Sequence, residues 1–159
     1  MPMKTIKFTV ALVLTMAFLN SCKKEADDID TGYPEINVGT SEAFPKQCSV
    51  IKRGEGFTFK ALLSDNAELG SVSVDIHHNF DHHSHSTEVN DCDMAPVKQA
   101  VNPFLLIKSY PISAGLKTFQ TNEIILVPAD VDPGDYHFLI RVTDKQGWQT
   151  IKGISIKIE

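Results

Sequence analysis

Histidines are concentrated in one short stretch of the chain. Five of the six histidines lie within the twelve residues HHNFDHHSHSTE, which begin at His77. Neutral imidazole nitrogens bind Zn²⁺, Cu²⁺ and Ni²⁺, and carboxylates nearby support such sites. His83 and His85 form a His-x-His pair whose side chains point to the same side of an extended chain, about 6.5 Å apart at Cα. The stretch is therefore a candidate transition-metal site.

The sixth histidine, His137, falls on a different predicted strand. In SVSVDIHHNF every second residue is apolar, so Asp75 and His77 take the opposite, outward face. The same alternation in DYHFLIRVTD turns His137 outward. Directly opposite residues on neighbouring strands have Cβ atoms about 4.5–5.5 Å apart. If these two strands are neighbours in register, His77 and His137 can share one ion, and His83 and His85 can fold over them.

The predicted site has zinc as the first choice of metal and copper as the second. Six residues are predicted to form it or support it: His77, His83, His85 and His137 as ligands, with Asp75 or His82 as a substitute or supporting partner. His78 shares the apolar face of its strand and is expected to be a buried, hydrogen-bonded histidine rather than a ligand.

Three other interpretations of the histidines stay open. They can be a solvated polar loop. Copper–zinc superoxide dismutase is a β-sandwich with a His-x-His pair, but that family needs further spaced ligands, and only His137 remains here. For a hydrolase, Asp81 or Glu88 could act as a base, yet no Gly-x-Ser-x-Gly or His-Glu-x-x-His motif occurs. We therefore expect no enzyme, and the alternative function is a surface module that binds a partner protein or glycan through its loops.

Short alternating runs separated by turn residues predict an all-β fold. GFTFKALLSD, SVSVDIHHNF and DYHFLIRVTD alternate, and DNAELG, VDPGD and DKQG supply the Gly, Pro, Asn and Asp of turns. NEIILVP is apolar on both faces and is predicted to be a central strand. Trp148, which follows the last turn, is expected in the core. About seven strands with this punctuation predict an immunoglobulin-like β-sandwich of two sheets.

The N-terminus has the parts of a bacterial lipoprotein signal peptide. A basic start precedes FTVALVLTMAFL, which is shorter than the roughly 20 apolar residues that cross a bilayer. LNSC then resembles a lipobox, in which Cys22 receives lipid after cleavage; an ordinary secreted protein is the alternative. The charged stretch that follows predicts a flexible tether. The expected organisation is a signal peptide at 1–21, a lipidated acidic tether at 22–32 and the β-sandwich at 33–159.

Charge and location restrict the possible partners. Without the signal peptide the chain has 13 basic and 20 acidic residues, a net charge of −7 with neutral histidine. This charge argues against binding to nucleic acid and against electrostatic attraction to anionic lipid. The expected membrane attachment is therefore the lipid on Cys22, at the cell-surface or periplasmic face of the outer membrane. An outer-membrane receptor is a possible protein partner in metal uptake or handling.

Two cysteines lie within the predicted domain, Cys48 and Cys92. An exported protein meets an oxidising compartment, which favours a disulfide between them. One alternative makes Cys92, which lies between two aspartates, a thiolate ligand beside the histidines. Two free thiols are the other alternative.

The whole chain resembles a family of uncharacterised Bacteroidota lipoproteins with an immunoglobulin-like domain. The resemblance is carried by the lipobox Cys22, by SVSVDIHHNFDHHSHS and by GDYHFLIRVTD. The longer segment PGDYHFLIRVTDKQGW is also similar to the ending of many bacterial immunoglobulin-like modules. The resemblance implies the fold and the location, and it carries no activity that transfers to this chain.

The lipobox generates a prediction about anchoring. Cys22→Ala should release the protein from membranes or leave its signal peptide uncleaved, because the lipid acceptor is lost. Membrane fractionation and intact mass of the processed protein measure this. Unchanged membrane association together with an unchanged processed mass would refute the lipid anchor.

Overall fold

The computed structural model describes residues 29–85 and 92–159. The predicted signal peptide, Cys22 and Glu88 lie outside these residues. Within them, no helix is long and apolar enough to cross a membrane. The described residues form ten strands: β1 (Glu35–Asn37), β2 (Ser49–Ile51), β3 (Gly56–Phe59), β4 (Leu62–Ser64), β5 (Leu69–His78), β6 (Leu106–Pro111), β7 (Thr118–Gln120), β8 (Glu123–Leu126), β9 (Gly134–Asp144) and β10 (Gln149–Ile158).

The strands form two layers. One layer is a five-stranded sheet in the order β2-β10-β9-β5-β6, in which β2 runs parallel to β10 and the other neighbours are antiparallel. The other layer consists of the sheets β1-β4-β7 and β3-β8. The predicted all-β, two-layer sandwich is confirmed, and β5 and β9 are neighbours, as the immunoglobulin-type arrangement requires.

Local interruptions explain why ten strands are observed where about seven are predicted. Strands β3 and β4 follow each other with two residues between them, as do β7 and β8, and β3 pairs with β8 while β4 pairs with β7. At the break, Thr121 Oγ1 accepts the Ala61 N–H at 2.7 Å, and the Thr121 N–H donates to the Ala61 carbonyl at 3.0 Å. A threonine side chain thus replaces part of the ladder, and one long pair of strands is divided into two short pairs.

The core is built from the alternation seen in the sequence. Val72, Val74 and Ile76 on β5 are buried together with the apolar face of β9. Across the sandwich, the rings of Phe59 and Phe138 lie 5.4 Å apart between centroids. Burial of apolar area on these inner faces is the main stabilising contribution, at about 25 cal/mol per Å². The outer face of the β5–β9 pair carries polar residues and Leu139, which lies opposite Asp75.

A tyrosine fixes the start of β9. The Tyr136 hydroxyl donates to the Asp132 carbonyl at 2.6 Å and accepts the Phe104 N–H at 3.1 Å. Burial raises the pKa of the Tyr136 hydroxyl above its ordinary value. A tyrosine near the start of this strand that bonds back to the chain a few residues upstream is the tyrosine corner of immunoglobulin-type sandwiches.

Two sequence predictions about the core are wrong. The segment NEIILVP gives β8, which is not a central strand: it pairs with β3 in a two-stranded sheet, and Ile124 and Leu126 are 68% and 73% exposed. Trp148 is half-buried at the sandwich end rather than in the core. Its indole N–H donates to the Asp30 carbonyl at 2.9 Å, and its ring packs edge-on against Tyr33. The contact at Asp30 lies before residue 33, where the sequence predicts that the domain begins.

The predicted disulfide between Cys48 and Cys92 is confirmed, with a Cα–Cα distance of 5.4 Å. It ties the residue before β2 to the segment that follows the histidine stretch. The Cys48 N–H also donates to the carbonyl of Ser155 on β10 at 2.8 Å. Cys92 is therefore not available as a thiolate ligand.

Removal of the disulfide should lower stability. Because it closes a loop with a sequence separation of 44, the double variant Cys48→Ala/Cys92→Ala should lose about 4 kcal/mol of unfolding free energy in the chain-entropy description. Urea denaturation of the two proteins measures the difference. Alkylation of the unreduced, denatured wild type should label neither cysteine, and labelling of both would contradict the bridge.

Candidate metal centre

The β5–β9 pairing places two histidines side by side. His77 on β5 lies directly opposite His137 on β9 in the antiparallel register. Both occupy the outer face of the sheet, because their neighbours Ile76 and Phe138 point into the core. The two imidazole centroids are 5.2 Å apart. The register that the site requires is therefore present.

The chain after β5 turns back over this face. Phe80 is buried and packs against Tyr136, with ring centroids 5.3 Å apart, so it anchors the turn in the core. Gly134 makes room for it: its φ is +136°, and a Cβ there would lie 2.9 Å from Phe80 Cε1. The Asn79 N–H donates to the Asp135 carbonyl at 2.8 Å and continues the pairing beyond β5.

His82 reverses the chain and does not join the cluster. Its φ of 59° lies in the left-handed region that few residues other than glycine and asparagine adopt. Its side chain points away, and Nε2 donates to the Ala95 carbonyl at 2.9 Å. The prediction of His82 as a substitute or supporting partner is thus not met, because the backbone turn that brings the next residues inward directs this side chain outward.

Four histidines come together beyond the turn. One ring nitrogen from each of His77, His83, His85 and His137 lies within 4.8 Å of the other three. The rings of His83 and His85 are 4.7 Å and 4.6 Å from that of His137. These are the four residues that sequence spacing selects as ligands, and the loop folds back over the strand pair as expected.

Two aspartates orient two of the imidazoles. His77 Nδ1 lies 2.8 Å from Asp75 Oδ1, and His83 Nδ1 lies 2.6 Å from Asp81 Oδ1. An ionised carboxylate only accepts hydrogen bonds, so both Nδ1 atoms are donors and the Nε2 atoms carry the lone pairs in neutral rings. The hydrogen bond from His83 lowers the pKa of Asp81, which favours its ionised form.

The other two imidazoles are held within the cluster. His137 Nε2 lies 3.1 Å from the backbone oxygen of His83 and donates to it. His85 Nε2 lies 3.0 Å from His77 Nε2. Tetrahedral zinc ligands with Zn–N bonds of about 2.0–2.1 Å lie about 3.3 Å apart. The separation of the His77 and His85 Nε2 atoms is close to that value. In a metal-free protein the same distance corresponds to a hydrogen bond between the two imidazoles.

The cluster is buried on the side of the sheet and partly exposed on the side of the loop. His137 is fully buried beneath the loop. The side chains of His77 and His83 are 22% and 37% exposed. The cluster is therefore accessible to solvent on the loop side, and the β5–β9 strand pair lies beneath it.

The position of His78 outside the cluster is predictable from the sequence, whereas the role of Asp81 beside the cluster is not predicted. His78 lies partly buried on the other face, with its ring 4.9 Å from that of Phe80. It is outside the cluster as expected, but its Nδ1 is buried with no hydrogen-bond partner within the described residues. The sequence suggests a role for Asp81 only as a general base, and its position as the hydrogen-bond partner of His83 is a finding of the structure. An Asp two residues before a histidine, as in the Asp75–His77 pair, is the signal that identifies it.

These observations define an immunoglobulin-type β-sandwich with a partly buried cluster of four histidines on the outer face of one sheet. The chain belongs to the family described as a domain of unknown function (DUF4625), whose model matches residues 20–159. The expected membership of an uncharacterised domain family is thereby confirmed.

The comparisons with other proteins are distant. Among solved structures, the sporulation control protein Spo0M from Bacillus subtilis is similar, with a TM-score of 0.39 and 11% sequence identity. The match covers 82% of this chain and 50% of that chain, so this chain spans half the length of that protein. The curated proteins give no match. Functional inference therefore depends on the geometry of the site itself.

Proposed function

We propose that this protein binds a transition metal ion through His77, His83, His85 and His137, with zinc as the first choice and copper as the second. The observation that carries the proposal is the convergence of one ring nitrogen from each histidine within 4.8 Å. Two of the four, His77 and His137, lie opposite each other on paired strands, and the His83 carbonyl accepts a hydrogen bond from His137 Nε2. Little ordering of the chain is therefore needed when the ion binds.

The hydrogen bonds around the cluster support this proposal. Metal-binding histidines commonly donate their second ring nitrogen to a carboxylate or a carbonyl, which fixes the tautomer and makes the ligand more basic. His77 and His83 do so to Asp75 and Asp81, and His137 does so to a backbone carbonyl. An imidazole in a merely solvated loop has no need of such partners.

The charges also match a divalent ion. Four neutral imidazoles bring no charge, whereas the ionised carboxylates of Asp75 and Asp81 bring two negative charges within one hydrogen bond of the ligands. A divalent cation then makes the assembly neutral. Because the His137 end of the site is buried, this balance lowers the cost of placing an ion there.

The ligand number favours holding a metal over catalysis. Catalytic zinc sites keep three protein ligands and an open position for water, whereas sites with four protein ligands are closed. We infer a non-enzymatic role in which the partly exposed loop side allows the ion to enter and leave. Metal uptake or handling at the outer membrane, beside a receptor and with a lipid anchor at Cys22, suits such an exchangeable site; the support for this location is the lipobox in the sequence.

Loss of the loop ligands should abolish tight binding. The double variant His83→Ala/His85→Ala should bind Zn²⁺ and Cu²⁺ at least about 100-fold more weakly, because two of four ligands are missing. The strand pair below remains intact, so folding should be little affected. Calorimetric titration of the full chain, first freed of metal with a chelator, measures the affinities.

His82→Gly is the matched control for that experiment. Glycine accepts the φ of 59° at this position, so the loop keeps its path while one imidazole outside the cluster is lost. This variant should bind like the wild type. If the wild type shows no saturable binding tighter than about 10 µM, or if the double variant binds equally well, the metal proposal is wrong and the histidines form a hydrogen-bonded polar loop.

The carboxylate behind His77 generates a second prediction. Asp75→Ala should weaken zinc binding by about 10–100-fold, because His77 loses the partner that fixes its tautomer. Asp75→Asn retains an acceptor for His77 Nδ1, so its zinc affinity should lie between those of Asp75→Ala and the wild type. The same titration measures both, and equal affinity of Asp75→Ala and wild type would remove Asp75 from the site.

A further inference from the structure

Three aspartates converge at the other end of the sandwich. Asp30 precedes β1, Asp65 follows β4, and Asp144 is the last residue of β9. One carboxylate oxygen from each lies within 4.8 Å of the other two. His137 lies near the start of β9, and seven residues of extended strand, about 23 Å, separate it from Asp144. The aspartates thus form a cluster independent of the histidines.

One oxygen of each carboxylate holds the local backbone. The Asn66 side-chain amide also donates to Asp30 Oδ1, at 2.8 Å. The backbone N–H donors, at 2.6–2.9 Å, are Gly32 for Asp30, Ala67 and Glu68 for Asp65, and Gly147 and Trp148 for Asp144. These bonds orient all three side chains and provide hydrogen-bond partners for one of the two oxygens of each carboxylate.

The second oxygen of each carboxylate has no hydrogen-bond partner among the described residues. Asp30 Oδ2, Asp65 Oδ1 and Asp144 Oδ2 are buried and have no hydrogen-bond partner within the described residues. Asp144 is 3% exposed and Asp30 is 9% exposed. A buried carboxylate oxygen without a partner costs free energy, and three carboxylates with oxygens within 4.8 Å of one another add mutual repulsion.

No side-chain cation of the described residues forms an ion pair with these carboxylates, and Lys117 contributes only a small electrostatic attraction to Asp30. None of the ion pairs within residues 29–85 and 92–159 includes the three aspartates. The closest contacts of the nearby lysines are with other groups: Lys145 pairs with Glu68, with Nζ and Oε1 3.7 Å apart, and Lys117 Nζ donates to the Asn66 carbonyl at 2.8 Å. The arrangement therefore calls for a cation that the chain itself does not provide.

We propose that Asp30, Asp65 and Asp144 bind a Ca²⁺ ion. Ca²⁺ takes oxygen ligands at about 2.4 Å, so two ligands of one ion lie at most about 4.8 Å apart, which the three carboxylates satisfy. Its flexible coordination suits oxygens contributed by three separate segments, whereas Mg²⁺ requires near-ideal octahedral geometry. The ion joins the N-terminal segment at Asp30 to the β4 and β9 ends, where the predicted tether meets the domain.

The single tryptophan of the chain reports on this site. The Trp148 indole N–H donates to the Asp30 carbonyl and its backbone N–H to Asp144 Oδ1. Titration of the EDTA-treated full chain with CaCl₂ should change the Trp148 emission saturably, with a midpoint of about 10⁻⁴–10⁻³ M, the range of extracellular calcium modules. Near saturation the Tm should rise by about 4–8 °C.

Asp144→Asn separates ion binding from backbone capping. The asparagine carbonyl can still accept from the Gly147 and Trp148 N–H groups, but the second carboxylate oxygen and the charge are gone. Calcium affinity should fall at least tenfold. In EDTA the Tm of this variant should equal or exceed that of the wild type, because repulsion between carboxylates is relieved. Asp93→Asn, an equal charge change at an exposed position, should respond to calcium like the wild type.

Three results would each overturn the calcium site. They are the absence of a saturable response below about 10 mM Ca²⁺, an equal response to Mg²⁺ at the same concentration, and wild-type calcium affinity in Asp144→Asn. If Asp144→Asn is also less stable than the wild type in EDTA, the aspartates serve as turn caps alone. The His83→Ala/His85→Ala variant should keep the full calcium response, so the outcome is independent of the histidine site.

Discussion

The antiparallel pairing of β5 with β9 is the interaction on which the rest of the structure depends. Its register sets Ile76 against Phe138 on the inner face and His77 against His137 on the outer face. Because side chains alternate strictly along a strand, a shift of one residue would move the apolar side chains into solvent and the histidines into the core. The hydrophobic contribution of the inner face, far larger than any single polar contact, thus holds two imidazoles opposite each other.

The loop of the histidine cluster depends on the same pairing. Phe80 is buried against Tyr136, which is itself fixed by its hydroxyl at the start of β9, and Gly134 leaves the space that the Phe80 ring needs. The chain then reverses at His82, so His83 and His85 return over the sheet. A polar loop of this length would otherwise sample many conformations, at about 1–2 kcal/mol per ordered residue. The buried aromatic anchor removes much of that freedom before any ligand is considered.

Features that depend on alternation along a strand are predictable from the sequence, whereas features that depend on a tertiary neighbour are not. The faces of β5 and β9, the four clustered histidines and the disulfide follow from period-two patterning and from the count of cysteines. The exposure of Ile124 and Leu126 does not, because an apolar run cannot reveal whether a second sheet covers it. The direction of the His82 side chain depends on one left-handed backbone angle, and the aspartate cluster joins residues 30, 65 and 144, which no local pattern connects.

The two ends of β9 present opposite donor chemistry. Near its start, His137 lies among nitrogen donors, which suit zinc and copper, and at its end Asp144 lies among carboxylate oxygens, which suit hard cations such as calcium. Separation by about 23 Å of rigid strand prevents either set from completing the other. Because the donors are divided between the ends of one central strand, each proposed site has its own ligand type, and the shared strand holds both sets of side chains in place.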